Sequence, residues 1–409
     1  MSISFTRQSL PQHMLTILPI FVFMPIGMAY LAIGLFLLAW AASGDFKSKW
    51  DNVQAHPMLW PILTLSLIIC LASIFLPRNP TDFWSGFAHY QSYLFLILFI
   101  SVGGGDWQAK AMKVFGYASI YGATLYDLGA LGVLPDITLF RTYMISHGNN
   151  NTILGIVLAM AAAWWLHLAL SDQNKKICLK RLSVFAYTAF PILFIAHTRS
   201  GMLTLCVLCG WVLFRSAALK GKRWMTMGVL ALTAIVVWST SAEVKERTMT
   251  SIEHTRQFLS GQKTGEPRLE MIERTLAMIA EKPWTGHGIY MWQYQFPERG
   301  RGLEYASFIT SPHSDYMLFA SEMGVFSVIA LLGIFFTQYK ISRRLDQDAR
   351  AFLGILTISM LMNVATSPFF RDARFALAFM ILLAIPLAGV RRDKKLIGLF
   401  GSIPVDNPV

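Results

Sequence analysis

Long apolar blocks alternate with short polar stretches along nearly the whole chain. Blocks at 58–76, 86–103, 114–134, 152–170, 183–197, 201–219, 224–241, 314–339, 351–367 and 375–390 approach the roughly 18–25 residues that carry a helix across a bilayer. A transmembrane β-barrel would instead show alternating segments of about ten residues. The pattern therefore predicts an all-α, polytopic membrane helical bundle. The first block, 14–42, is too long for one span, since a helix of that length measures about 45 Å against a hydrocarbon core of about 30 Å. Pro19, Pro25 and Gly27 interrupt it, which predicts two short or tilted helices.

Composition agrees, with 55% apolar and 14% charged residues. Basic clusters at 174–181, 220–223, 340–344 and 391–395 belong on the cytoplasmic side by the positive-inside rule. They reach it if the spans simply alternate, and Lys47 and Lys49 then lie inside too. If the first block crosses twice, the result is about 12 transmembrane helices with both termini cytoplasmic. The predicted division is 1–241 for helices 1 to 9, 242–312 for a long outer loop between helices 9 and 10, 313–391 for helices 10 to 12, and 392–409 for a cytoplasmic tail. The net charge of +12 is mostly a consequence of this topology, so it implies no nucleic-acid partner. The first block is also longer than the apolar region of a cleaved signal peptide. Cys70, Cys178, Cys206 and Cys209 all fall in spans or on the inner side, leaving the outer loop without a disulfide. Cys206 and Cys209 read as packing residues within a helix.

A connection as long as 242–312 is usually functional. Its centre, EPRLEMIERTLAMIAEKP, places Leu269, Ile272, Leu276 and Ile279 at helical spacing, an amphipathic helix suited to lying on the membrane or covering the bundle. It ends at Pro283 and runs into WTGHGIYMW, a glycine-containing turn with interfacial aromatics. Arg141, Arg199 and Arg268 stand at the same outer level, where arginine is normally scarce. Guanidinium groups there suit an anion at the headgroup level, since they grip phosphate oxygens bidentately. Arg299, Arg301, Arg371 and Arg374 are assigned instead to interfacial snorkelling. Ser311 and Pro312 have the form of an N-cap and first helical residue, which would put His313 in the first turn of span ten. The helix dipole and nearby arginines disfavour the imidazolium there, leaving the neutral imidazole a general base requires. Asp346 and Asp348 lie on the inner side as a solvated segment. The outer face shows no metal-ligand spacing, and GGG at 103–105 lacks the lysine of a phosphate loop, so no metal, ATP or other cofactor is expected.

One base and several arginines suffice when the leaving group is already a stable anion. A sugar diphosphate needs no acid to depart if arginines neutralise it, whereas a glycosidase needs one. The residues then required are those that deprotonate an incoming hydroxyl. A secondary transporter of a lipid-linked glycan is the competing class, but it would show two related halves and charges near the midplane.

The segments HTRSGML (197–203), PRLEMIERTLAMIAEKPWTGHGI (267–289) and SPHSDYMLFASEMGVFSVIALL (311–332) resemble elements of the O-antigen ligase superfamily. That superfamily also includes O-antigen polymerases and protein O-oligosaccharyltransferases. The resemblance implies that His313 is the catalytic base and that Arg199 and Arg268 hold an undecaprenyl diphosphate donor, with Arg141 and His147 matched by location. Glu322 is a buried carboxylate expected to play a supporting, structural part near Gly324. The implied enzyme is a metal-independent, inverting glycosyltransferase of the bacterial inner membrane with a periplasmic active site. Its implied partners are undecaprenyl-diphosphate-linked O-antigen as donor and lipid A core oligosaccharide as acceptor, in lipopolysaccharide biosynthesis. Modest length without an added periplasmic domain favours the ligase within the superfamily.

Overall fold

Every apolar block described in the computed structural model is helical. It describes residues 7–144, 151–195, 198–216, 267–300 and 308–392, with a few isolated residues between 221 and 260. Nearly all of the span expected at 224–241, together with His147 and Arg301, lies outside the described residues. The first block divides as its prolines predict, into α1 (Leu10–Phe21) and α2 (Ile26–Ala42), followed by α3 (Phe46–Gln54). Then come α4 (Leu59–Phe75), α5 (Phe83–Tyr90), α6 (Tyr93–Ile100), α7 (Trp107–Ala130), α8 (Asn151–Ser171), α9 (Lys175–Phe194) and α10 (Arg199–Arg215). The segment expected as the outer loop contains α11 (Pro267–Glu281) and α12 (Trp292–Arg299), and after it come α13 (Asp315–Met323), α14 (Val325–Ser342), α15 (Gln347–Thr366) and α16 (Ala373–Leu387).

Among the described residues, four helices are long and apolar enough to cross a membrane, namely 152–171, α9, α14 and α15, and a fifth if α2 and α3, bent by 112°, form one span. Two expected spans are broken. The block at 86–103 becomes α5 and α6, and the block at 314–339 is cut at Gly324 into α13 and α14. Gly324 has φ 78° and ψ 173°, a region open essentially to glycine alone. A Cβ there would stand 2.1 Å from the carbonyl oxygen of Trp284, so the chain can turn only because that position has no side chain.

The core centres on α8. Ile156, Val157 and Ala159 to Ala163 are fully buried, as befits a helix apolar on all sides. Phe115 on α7 and Trp164 on α8 pack on Phe352 of α15 with ring centroids 5.6 and 5.1 Å apart. Backbones of α8 and α10 meet closely at Gly155 and Gly201, where an added Cβ on Gly201 would lie 3.3 Å from Gly155, the small-residue contact typical of helix pairs in lipid.

The loops gather at two ends. At one, Lys49 Nζ donates to Ser43 Oγ and the Gly44 carbonyl at 2.7 and 2.6 Å, and to Trp40, satisfying orphan groups at the bend after α2. His56 bonds the Leu387 carbonyl at 2.9 Å. Arg181 pairs with Asp172 at 3.0 Å, and Asp346 caps α15 by accepting from Ala349 N. Asp346 is thus a helix cap, and Asp348 meets His167 at 3.0 Å, so neither is merely solvated. At the opposite end Tyr143 donates to the Phe23 carbonyl, Arg374 to the Met24 carbonyl, and Gln293 to Asp82. Among the described residues, Lys49, Arg181 and Arg350 thus lie at the first end, and the second carries the candidate chemistry.

Candidate functional site

The second end is built around α13. Helix α11 packs across it, burying Met271, Thr275 and Met278. That stripe is not the expected row of Leu269, Ile272, Leu276 and Ile279, of which Leu276 is 51% exposed. Threonine disguised it: Thr275 Oγ1 donates to the Met271 carbonyl at 2.6 Å and accepts from Trp292 Nε1 at 3.0 Å, so a polar residue sits in the packed face with its bonds satisfied.

The WTGHGIYMW turn wraps the end of α13. His287 N donates to the Ser321 carbonyl and Gly288 N to that of Glu322, both at 2.9 Å. The fully buried Glu322 carboxylate accepts from Tyr90 Oη at 2.7 Å, from Tyr290 N at 2.8 Å and from Trp292 N at 3.2 Å. Three donors from two distant segments therefore converge on one side chain, which fixes the turn to the bundle. Burial is the first reason the His287 imidazole titrates below its ordinary range, and its Nε2 bonds the Met278 carbonyl at 2.9 Å.

His313 lies at the opposite end of α13, and here the expectation from the helix-capping pattern fails. The helix starts at Asp315 with Ser314 as its N-cap, and His313 is outside it at φ 55°. The competing interaction is Asp315, whose Oδ2 accepts from Phe370 N at 2.8 Å; this contact with the turn between α15 and α16 sets where the helix begins. Among the described residues three non-glycines have positive φ: Asp45, Tyr290 and His313. The last two belong to this end, and left-handed backbone at such residues is costly and concentrates at functional sites.

The half-buried His313 imidazole is held below its usual titration range, first by burial and then by the charge of Arg268. The direction is the one expected, with burial and the charge of Arg268 as its causes. Arg268, exposed at the start of α11, is therefore the arginine the fold brings to the histidine. Arg199 opens α10, exposed and without an ion pair among the described residues. Arg141 pairs with Asp136 at 2.8 Å and lines a different recess, shared with Arg374.

Three residues escaped the sequence reading. Asp315 is fully buried two positions from His313, a proximity visible in the string PHSD. Arg371, assigned to snorkelling, instead crosses the site: it donates to the Thr310 carbonyl and, at 2.8 Å, to Gln293 Oε1, and stands 3.8 Å over the Tyr290 ring. Arg374, likewise assigned, is nine-tenths buried. Nothing local in the sequence distinguishes either from an interfacial arginine.

These features describe a helical protein with helices long and apolar enough to cross a membrane and, at one end of the bundle, an imidazole held below its usual titration range by burial and the charge of Arg268. Residues 184–332 match the family described as O-antigen ligase, which supports the likeness of this segment to the O-antigen ligase superfamily. The match contains Arg199, Arg268, His313 and Glu322. It supports an O-antigen ligase- or polymerase-type membrane glycosyltransferase, with lipid-linked glycan and lipid acceptor substrates in general. No curated protein gives a significant match.

Proposed function

We propose that the protein is a metal-independent, inverting glycosyltransferase that moves O-antigen polysaccharide from undecaprenyl diphosphate to a hydroxyl of a lipid A core sugar. In this reading it crosses the bacterial inner membrane about 12 times, with both termini cytoplasmic and the His313 end facing the periplasm. The observation that carries the reading is a half-buried imidazole kept neutral beside Arg268, within the stretch matching the O-antigen ligase family.

His313 takes the proton from the acceptor hydroxyl as that oxygen attacks the anomeric carbon. The bond from that carbon to the diphosphate breaks, and Arg268 and Arg199 neutralise the departing lipid diphosphate. Inversion follows from a single displacement. Asp315 and Arg371 position the strained loop that carries the base, through Phe370 N and the Thr310 carbonyl. Glu322 serves the same frame from the other end of α13.

The test is transfer by purified full-length wild-type and His313→Ala proteins, given undecaprenyl-diphosphate glycan and rough lipopolysaccharide without ATP or added metal. Wild type should yield a ladder of heavier lipopolysaccharide, and the variant should lose about 10²–10⁴-fold in rate while still binding donor. Longer lipid-linked glycan with no ladder would mean a polymerase. Absence of any covalent product would refute the enzymatic reading, and undiminished turnover by His313→Ala would remove the histidine as base.

A further inference from the structure

A recess of about 440 Å³ opens at the same end of the bundle, away from the residues that surround His313. Its polar lining is Tyr30, Thr138, Arg141, Thr142, Asp372 and Arg374, drawn from α2, from the connection between α7 and α8, and from the start of α16. Arg374 is only 9% exposed, yet its Nε has no hydrogen-bond partner. Among the described residues, the one hydrogen bond made by its guanidinium is a long contact of 3.4 Å from Nη2 to the Met24 carbonyl. A buried cation with so few partners is costly unless an anion meets it.

The charge of the Asp372 carboxylate supplies part of that compensation. Asp372 Oδ1 is already engaged as the cap of α16, accepting from Arg374 N at 2.9 Å. Asp136 is held by Arg141 Nε in an exposed pair, which leaves the two terminal nitrogens of Arg141 to act elsewhere. Arg141, Arg374, Thr138 and Thr142 thus line one space, residues whose guanidinium and hydroxyl donors suit a tetrahedral oxyanion.

The recess is also open towards lipid. Tyr30 is 51% exposed and is followed on α2 by Leu31, Leu35 and Leu38, all exposed. An apolar path therefore runs from the polar recess along the outside of the bundle. A free anion would have no use for it, whereas a phosphate carrying acyl chains would fill both parts.

We propose that this recess is a lipid-phosphate site, holding the headgroup phosphate of a membrane lipid between Arg374 and Arg141 with its chains along α2. The site is distinct from the His313 and Arg268 pair and does not depend on the transfer reaction. It separates Arg141 from the donor diphosphate and gives it another anion.

The test uses the full-length protein in dodecyl maltoside, a detergent that carries no phosphate, titrated with dihexanoyl phosphatidic acid and, separately, inorganic phosphate. Saturable binding of the lipid that weakens as salt rises is expected. Arg141→Gln alters an exposed side chain that the fold does not need, and should weaken binding about tenfold or more, the scale of one lost charge-assisted pair. Arg374→Lys should weaken it as well, by losing the planar fork. Arg268→Gln should leave it unchanged while impairing capture of farnesyl diphosphate. Absence of saturable lipid binding, wild-type affinity in Arg141→Gln, or equal loss in Arg268→Gln would overturn the proposal. Inorganic phosphate binding as tightly as the lipid would overturn the lipid source.

Discussion

Glu322→Gln isolates what the buried carboxylate does for the frame around α13. The carboxylate accepts three bonds, whereas the amide offers a single oxygen. In its best orientation that oxygen keeps Tyr90 and Tyr290, now 2.7 and 2.8 Å away, and the amide nitrogen faces Trp292 N at 3.2 Å. One buried donor is then orphaned, at roughly 1–3 kcal/mol, and the two retained bonds lose their charge assistance, about 1 kcal/mol more. Removing a buried charge recovers some desolvation, but the positive charge of Arg371 faces this carboxylate and would lose it. The expected net loss is about 2–4 kcal/mol. Glu322→Ala orphans all three donors and leaves a void, so it should cost roughly 3–9 kcal/mol before relaxation. Unfolding of the full-length protein in detergent, followed by tryptophan fluorescence, reads both. Gln as stable as wild type, or Ala no worse than Gln, would refute the clamp.

Two further expectations follow from the same geometry. A general base must be neutral, and His313 is held below its ordinary value of 6.5, so the acid limb of the transfer rate should lie below that pH. Arg268→Gln removes one of the two causes and should move the limb upward; an unmoved limb would disconnect the two residues. Gly324→Ala places a side chain at φ 78°, costing about 1–3 kcal/mol in backbone strain alone, with the clash against Trp284 in addition. Gly333→Ala, with open space around it, is the control, and equal thermal stability of the two variants would refute the role given to the break.

The legible parts of the fold were those written in local pattern. The helices at Leu59–Phe75, Asn151–Ser171 and Gln347–Thr366 follow apolar blocks, and the break before Ile26 follows from prolines. The break at Gly324 left no such mark, because apolar residues continue on both sides and the cause is the Trp284 carbonyl some forty positions earlier. The start of α13 was misread for a similar reason: Ser311 and Pro312 form a credible cap, but Asp315 answers to Phe370 instead. Arg268 was legible as a charged residue opening an amphipathic helix. The placement of Arg371 and Arg374 inside the protein was not, since burial of an arginine is decided by what surrounds it in three dimensions.

The brace on the His313 loop arrives late in the chain. Phe370 follows Asp315 by 55 positions and Arg371 follows Thr310 by 61, with α14 and α15 lying between. A ribosome therefore delivers α11, Arg268 and His313 before the segment that holds the histidine loop in register, and domains made in this order mature from their N-terminal side. The His313 loop therefore stays unbraced until α14, α15 and the turn beyond them have been made.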